Sequence, residues 1–270
     1  MSLLCVENAS VVFSLRKNQV VKALDQVSFT LQQGEVLGIV GESGCGKSTL
    51  ARTIMRLQPL KSGRIIWQGD DLATLSQQEQ CNYRQDVQLI FQDPLDALNP
   101  RMTVAQIIAE PLLNLKPTLS KVQVQQQINN IIVLLGMSKA HLNRFPHEFS
   151  GGQCQRIGIA RAMIVKPKLL VCDEPVSALD VSVQAQILNL LMDLKQQTDL
   201  SMLFISHDLS VVRYICDRLL VLYKGQVVEE GDVEQIYQHP RHSYTKKLLA
   251  SIPLIDPHQE KLRIQGKSNA

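Results

Sequence analysis

The sequence predicts an α/β fold in which a parallel-sheet body is interrupted by an all-helical insertion. Three observations predict it. Short β-like apolar runs alternate with helices in the first and last thirds of the chain. A glycine-rich turn joins one of those runs directly to a helix. Between about residues 94 and 165 the spacing is helical throughout.

Taken in order, Leu3–Val6, Val27–Leu31, Val36–Val40 and Ile65–Trp67 read as strands, punctuated by Gly34, Gly41, Gly63 and Gly69. Lys47–Leu57 reads as a helix entered from the glycine-rich turn. Val87–Phe91 is the next apolar run, closed by Gln92-Asp93-Pro94. Beyond Pro94, Thr103–Leu113 and Val122–Leu135 have helical spacing, with Ile128, Ile131, Ile132 and Leu135 on one face. A third helix runs from Gly152 to Val165. Strands return at Leu169–Cys172, Met202–Ile205 and Leu219–Leu222, with helices Val181–Gln197 and Leu209–Ile215 between them. A tail with its own helix, Tyr244–Ser251, continues through Pro253 and Pro257. There is no internal repeat.

Composition bounds the function classes. Of 270 residues, 45% are apolar and 20% charged, which places the chain among ordinary globular proteins and excludes disordered and collagen-like ones. The charge sum, 28 − 25 = +3, is too small to argue for nucleic acid or an anionic membrane surface. Cys5, Cys45, Cys81, Cys154, Cys172 and Cys216 form no CxxC pair, a pattern that fits free thiols in a reducing compartment. No signal peptide is expected from the opening residues, and no window nears the ~18 apolar residues of a membrane span. The charge-free segment Val122–Ser138 is broken by Gln123, Gln125, Gln126, Gln127, Asn129 and Asn130. Any membrane role must therefore go through a partner.

The chemistry begins at Gly41-Glu-Ser43-Gly44-Cys45-Gly46-Lys47-Ser48-Thr49, which matches G-x-x-x-x-G-K-[ST] between a strand and a helix. Glycines let such a loop wrap phosphate with backbone N–H groups, and the helix N-terminus adds its positive dipole end. Lys47 can bridge β- and γ-phosphate oxygens, and the Ser48 hydroxyl can ligate Mg²⁺. A chance turn containing Lys-Ser is the competing reading, and the flanking strand and helix weigh against it. Cys45 reads as a small space-filler. The strand Leu169–Cys172 then ends in Asp173-Glu174, at the sheet edge where α/β proteins bind ligands. Asp173 is the candidate Mg²⁺ holder. Glu174 is placed to polarise an attacking water.

Ser150-Gly151-Gly152-Gln153, added to these two sites, resembles the signature of ATP-binding-cassette ATPases, with Phe149 where the family usually has Leu. Ser150 can cap the helix that follows. The resemblance covers about residues 3–235. It implies that the signature binds the γ-phosphate of an ATP held by the opposite subunit. It further implies that Gln92 contacts Mg²⁺ and the attacking water, that Ser177-Ala178-Leu179-Asp180 crosses the dimer interface, and that His207 reaches the γ-phosphate. Phe13 looks like the aromatic that stacks on adenine, with a core phenylalanine as the alternative. The fold implied is a P-loop NTPase: a RecA-like core with an antiparallel β subdomain over residues 1–93 and 166–235, and a helical subdomain over 94–165. A short C-terminal extension covers 236–270.

Phe91 to Arg101 and the tail His239-Pro240-Arg241-His242-Ser243-Tyr244-Thr245, with Leu248-Leu249 and Ile252-Pro253, resemble ATPases of dipeptide, oligopeptide and nickel importers. Many peptide-type relatives carry a cysteine cluster near this tail. Here the last cysteine is Cys216, which leans towards nickel or a metal chelate. His239 and His242 are too few for a closed metal site. The resemblance implies ATP and Mg²⁺ as cofactors. It implies a second ATPase subunit, two membrane permease subunits and, indirectly, a periplasmic or extracellular substrate-binding protein as partners. The location implied is the cytoplasmic face of the inner membrane, peripherally held. The competing classes are a soluble cassette ATPase acting on ribosomes or DNA, and an exporter ATPase. The first usually carries two cassettes or a long coiled-coil insertion, and the importer-type tail argues against the second. A GTPase reading would leave the signature and His207 unexplained.

Overall fold

The computed structural model describes residues 2–14 and 20–251. Ile252, Pro253 and Pro257 lie outside the described residues. Two sheets face each other. One is antiparallel, in the order β2 (Val20–Gln32), β1 (Ser2–Ser14), β4 (Ser62–Trp67), β5 (Asp70–Asp71). The other runs β10 (Gln226–Asp232), β9 (Arg218–Tyr223), β3 (Val36–Val40), β8 (Ser201–Ile205), β7 (Leu169–Asp173), β6 (Val87–Ile90). It is parallel from β9 to β6, with β10 antiparallel at its edge.

The central strands are aliphatic because both faces are covered: every residue of β3 and β8 is buried. One core cluster fills the space between the sheets, with Leu4, Leu31, Ile39, Leu50 and Ile54 among its members. A second runs unbroken from the other face of the parallel sheet into the helical insertion. That insertion comprises α3 (Val104–Leu115), α4 (Lys121–Leu134) and α5 (Gly151–Met163). Each fully buried Leu or Ile contributes about 1.5–3 kcal/mol, so the insertion is bonded to the body by its apolar faces. The remaining helices are α1 (Lys47–Ile54), α2 (Gln77–Asp86), α6 (Val181–Thr198), α7 (Leu209–Ile215), α8 (Val233–Gln238) and α9 (Ser243–Leu249).

Several elements differ from expectation. β1 and β2 are each 13 residues long, because bulges at Asn8 and Gln26 let polar stretches stay in the ladder. α2 has only Tyr83 buried, so no apolar stripe announces it; a capping box between Ser76 and Glu79 starts it instead. β10 is a half-buried polar edge strand held by its hairpin to β9. α8 and β5 also went unforeseen. The run ending at Phe91 stops one residue earlier, at Ile90, and Phe91 is exposed. α1 ends at Ile54 rather than Leu57, and α3 continues through Pro111 to Leu115.

Candidate active site

β3 delivers the chain into the glycine-rich loop, and Gly46 caps α1 with a left-handed φ of 112°. A Cβ there would stand 2.4 Å from the Ala23 carbonyl oxygen, so only glycine fits. Lys47 is almost fully buried, and its Nζ donates to the Gly41 carbonyl at 2.7 Å and the Glu42 carbonyl at 3.0 Å. Cys45 is buried beside it, as the space-filling reading requires; burial pushes its thiol up, and the Lys47 charge opposes this. Ser48 Oγ donates to Asp173 Oδ1 at 3.2 Å. Burial raises the Asp173 carboxyl, and the Ser48 hydroxyl works against it.

The other half of the site comes from the carboxyl ends of β6, β7 and β8. Glu174 follows β7 with a left-handed φ of 51°, unusual for a residue with a side chain, and its N–H donates to Ile205 O at 3.0 Å. Two side chains converge on a single Glu174 oxygen, Oε2: Gln92 Nε2 at 3.1 Å and His207 Nδ1 at 3.2 Å. Since an ionised carboxylate only accepts, both nitrogens are assigned as donors here. A cavity of about 770 Å³ is bounded on one side by Ser43, Gly44 and Gly46–Thr49, and on the other by Gln92, Glu174 and His207.

The signature segment sits elsewhere. Ser150 caps α5 by accepting from Gln153 N–H at 3.4 Å, while Gln153 Oε1 accepts from Ser150 N–H at 3.1 Å. A Cβ on Gly152 would meet Val183 Cγ1 of α6 at 2.4 Å, and one on Gly151 would touch Leu179 at 3.5 Å. The signature and the Ser177–Asp180 loop therefore share one face. Asp180 occupies the cap position of α6 without a side-chain cap bond. None of Ser150, Gly151, Gly152, Gln153 or Asp180 lines the 770 Å³ cavity. Phe13 is exposed at the end of β1 opposite Val21, and Val21 lines the cavity whereas Phe13 does not.

Sequence reasoning missed some neighbours. Lys22, Lys224 and Gly225 line the cavity because the β9–β10 turn is clamped against the loop: Gly225 N–H donates to Cys45 O at 2.9 Å and Gly225 O accepts from Asp25 N–H at 2.8 Å. Arg161 of α5 holds the segment after Gln92, donating to Ala97 O at 2.5 Å with its guanidinium over the Phe91 ring. Neither turn nor arginine carries a local pattern that would have marked it.

Comparison with known proteins decides the family. Residues 24–177 match the family described as "ABC transporter", more than half of the chain. This chain belongs to the ABC transporter family. Residues 228–270 match "Oligopeptide/dipeptide transporter, C-terminal region". The chain is 52% identical over 240 residues to the oligopeptide transport ATP-binding protein OppF of Salmonella typhimurium, covering 89% of this chain and 72% of that protein. It is 49% identical over 251 residues to the dipeptide transport ATP-binding protein DppF of Escherichia coli, covering 92% and 75%. Among solved structures it is similar to the dimeric ATP-binding cassette MJ0796 bound to ADP and Pi, with TM-score 0.77, 26% identity, and 85% and 98% of the two chains covered. CbiO1 from Clostridium perfringens, part of the cbiONQ transporter complex, gives TM-score 0.78 at 25% identity over 97% and 98%. The chain is thus an ABC-type ATPase, and its P-loop NTPase fold is that of the cassettes.

Proposed function

We propose that this chain hydrolyses ATP to energise a peptide importer, working as one of two cassettes beneath a membrane permease pair. The observation that carries the hydrolytic reading is the convergence of Gln92 and His207 on Glu174 Oε2, across a cavity from Lys47 and Ser48. Glu174 is then the group that polarises water towards the γ-phosphate, with Gln92 and His207 fixing its orientation. Lys47 exchanges its loop carbonyls for phosphate oxygens. The donor set of Ser48, Asp173 and Gln92 fits Mg²⁺: hard oxygen ligands, with a burial-destabilised carboxylate that a cation would relieve. When bound there, Mg²⁺ neutralises charge on the β- and γ-phosphates.

The signature glycines and Asp180 lie away from the chain's own cavity, which supports their use by a second cassette. The bare start of α5 would then face that partner's γ-phosphate. Among the described residues no helix is long and apolar enough to cross a membrane. The reading carries with it peripheral attachment at the cytoplasmic face through permease subunits, with an external substrate-binding protein delivering cargo, as the transport ATP-binding names of the OppF and DppF relatives suggest. The names of the OppF and DppF relatives favour peptides as cargo over the nickel towards which the missing cysteine cluster leans. Uptake of a labelled dipeptide, a labelled oligopeptide and radioactive nickel in cells lacking only this protein tests the reading. Loss of peptide uptake with nickel uptake intact is expected. Loss of nickel uptake alone would overturn the cargo assignment, and persistence of all three uptakes would overturn the importer role.

A further inference from the structure

The C-terminal extension touches the phosphate loop. Glu229 of β10 accepts from the Arg241 N–H at 2.7 Å and the His242 N–H at 3.0 Å, which pins the turn into α9. His242 Nδ1 then caps α9 by accepting from the Tyr244 N–H at 3.2 Å. So anchored, α9 buries Tyr244 against Tyr223, ring centroids 4.2 Å apart, and its hydroxyl oxygen accepts from the Glu42 N–H at 2.8 Å. Glu42 is the second residue of the phosphate loop, and its carbonyl is one of the two that hold Lys47. One peptide unit on each side of Glu42 is therefore gripped: the amide by the extension, the carbonyl by the loop lysine. A second line of contact runs from Tyr244 through Tyr223 to Lys224, whose Nζ lies over the Tyr223 ring and which lines the nucleotide cavity.

We infer that Tyr244 is a positioning residue for nucleotide binding: its hydroxyl fixes the Glu42 peptide and so sets the loop conformation that Lys47 and the loop amides present to phosphate. The loop must keep its left-handed glycines in place to aim successive N–H groups at an anion, and a free Glu42 peptide could rotate out of that arrangement. Burial raises the Tyr244 hydroxyl and keeps it neutral, and its oxygen lone pairs accept the Glu42 N–H. The consequence is that the extension acts on ATP affinity. This rests on the cavity being the nucleotide site.

The test uses the full chain and the assembled transporter. Hydrogen exchange without nucleotide reads the tether itself: the Glu42 amide is protected in the wild type and loses protection in Tyr244→Phe, which keeps the ring on Tyr223. In ATPase assays Tyr244→Phe raises the KM for ATP roughly 2- to 12-fold, the span of one neutral hydrogen bond, and leaves kcat within about twofold. Tyr237→Phe serves as the control. It removes another hydroxyl contact between an extension-side helix and the core, to the Leu209 carbonyl rather than to the phosphate loop, and leaves KM unchanged. An unprotected Glu42 amide in the wild type overturns the inference without any variant. So does an unchanged KM in Tyr244→Phe, or an equal KM rise in Tyr237→Phe. Failure of the wild type to bind ATP would instead overturn the nucleotide reading of the cavity and leave the exchange result standing.

Discussion

At the scale of single residues, the proposed roles separate binding from chemistry. Glu174 contacts Gln92 and His207 but no element of the phosphate loop at hydrogen-bond distance. Glu174→Gln should therefore lower kcat by roughly 10²–10⁴-fold, the worth of a general base, while ATP binding measured by calorimetry stays within about twofold. Wild-type turnover in that variant would remove Glu174 from its role. Lys47→Ala should do the opposite and weaken ATP binding by about ten- to a hundredfold, since a charged hydrogen-bond donor is worth about 1.5–3 kcal/mol. It also leaves the Gly41 and Glu42 carbonyls without their donor. An unchanged dissociation constant would count against it. These residues were legible because glycine, lysine and paired carboxylates have strong chemistry at fixed spacing. Phe13 was the weak case, as one aromatic on a strand says nothing of which side it faces.

Elements decide the next layer. α5 and α6 approach so closely that a side chain at Gly152 would collide with Val183. Gly152→Ala should cost about 1–3 kcal/mol through overpacking, read by denaturant unfolding, and Val183→Ala in the same chain should recover most of it. A non-rescued double variant would mean the cost is not steric. The extension offers a pH test. Burial would raise Glu229, but the Arg241 and His242 amides and the Thr245 hydroxyl near it outweigh burial and hold its carboxyl below the usual range. A depressed carboxyl contributes stability that is full above its unfolded value near 4.3 and disappears as pH falls through the lower folded value. Glu229→Gln should thus be less stable than wild type by about 1–2 kcal/mol at pH 7, with the gap closing below about pH 4. A gap that persists in acid would assign it to packing. α2, β10 and α8 escaped sequence reading because polar residues hide an edge strand or a surface helix that caps and pairing, not apolar periodicity, hold in place.

For the whole molecule, the two cores lie on either side of one parallel sheet, and the thiols report on both. Cys154 and Cys172 are fully buried and Cys45 nearly so, and burial raises all three. Native protein treated with N-ethylmaleimide at neutral pH should leave these three unlabelled by mass spectrometry, and urea should expose them together. Native labelling of Cys172 would show that the sheet opens. The separation of the signature face from the chain's own phosphate cavity belongs to this scale too, and it is what the proposed pairing of two cassettes would put to use.

The sequence by itself determined the phosphate loop, the Asp173-Glu174 pair, the signature and the strands and helices that carry them, and with these the resemblance to the family. Those features are short, local and chemically distinctive. Only the tertiary structure decided that Gln92 and His207, 82 and 33 residues from Glu174, meet on one of its oxygens. Only the tertiary structure clamps the Lys224-Gly225 turn to the loop and brings Tyr244, 202 residues away, onto the Glu42 amide. The physical reason is strand order. β3, β8 and β7 are neighbours in the sheet but far apart in the chain, so their carboxyl ends, and whatever packs on them, are assembled by pairing that no local pattern encodes.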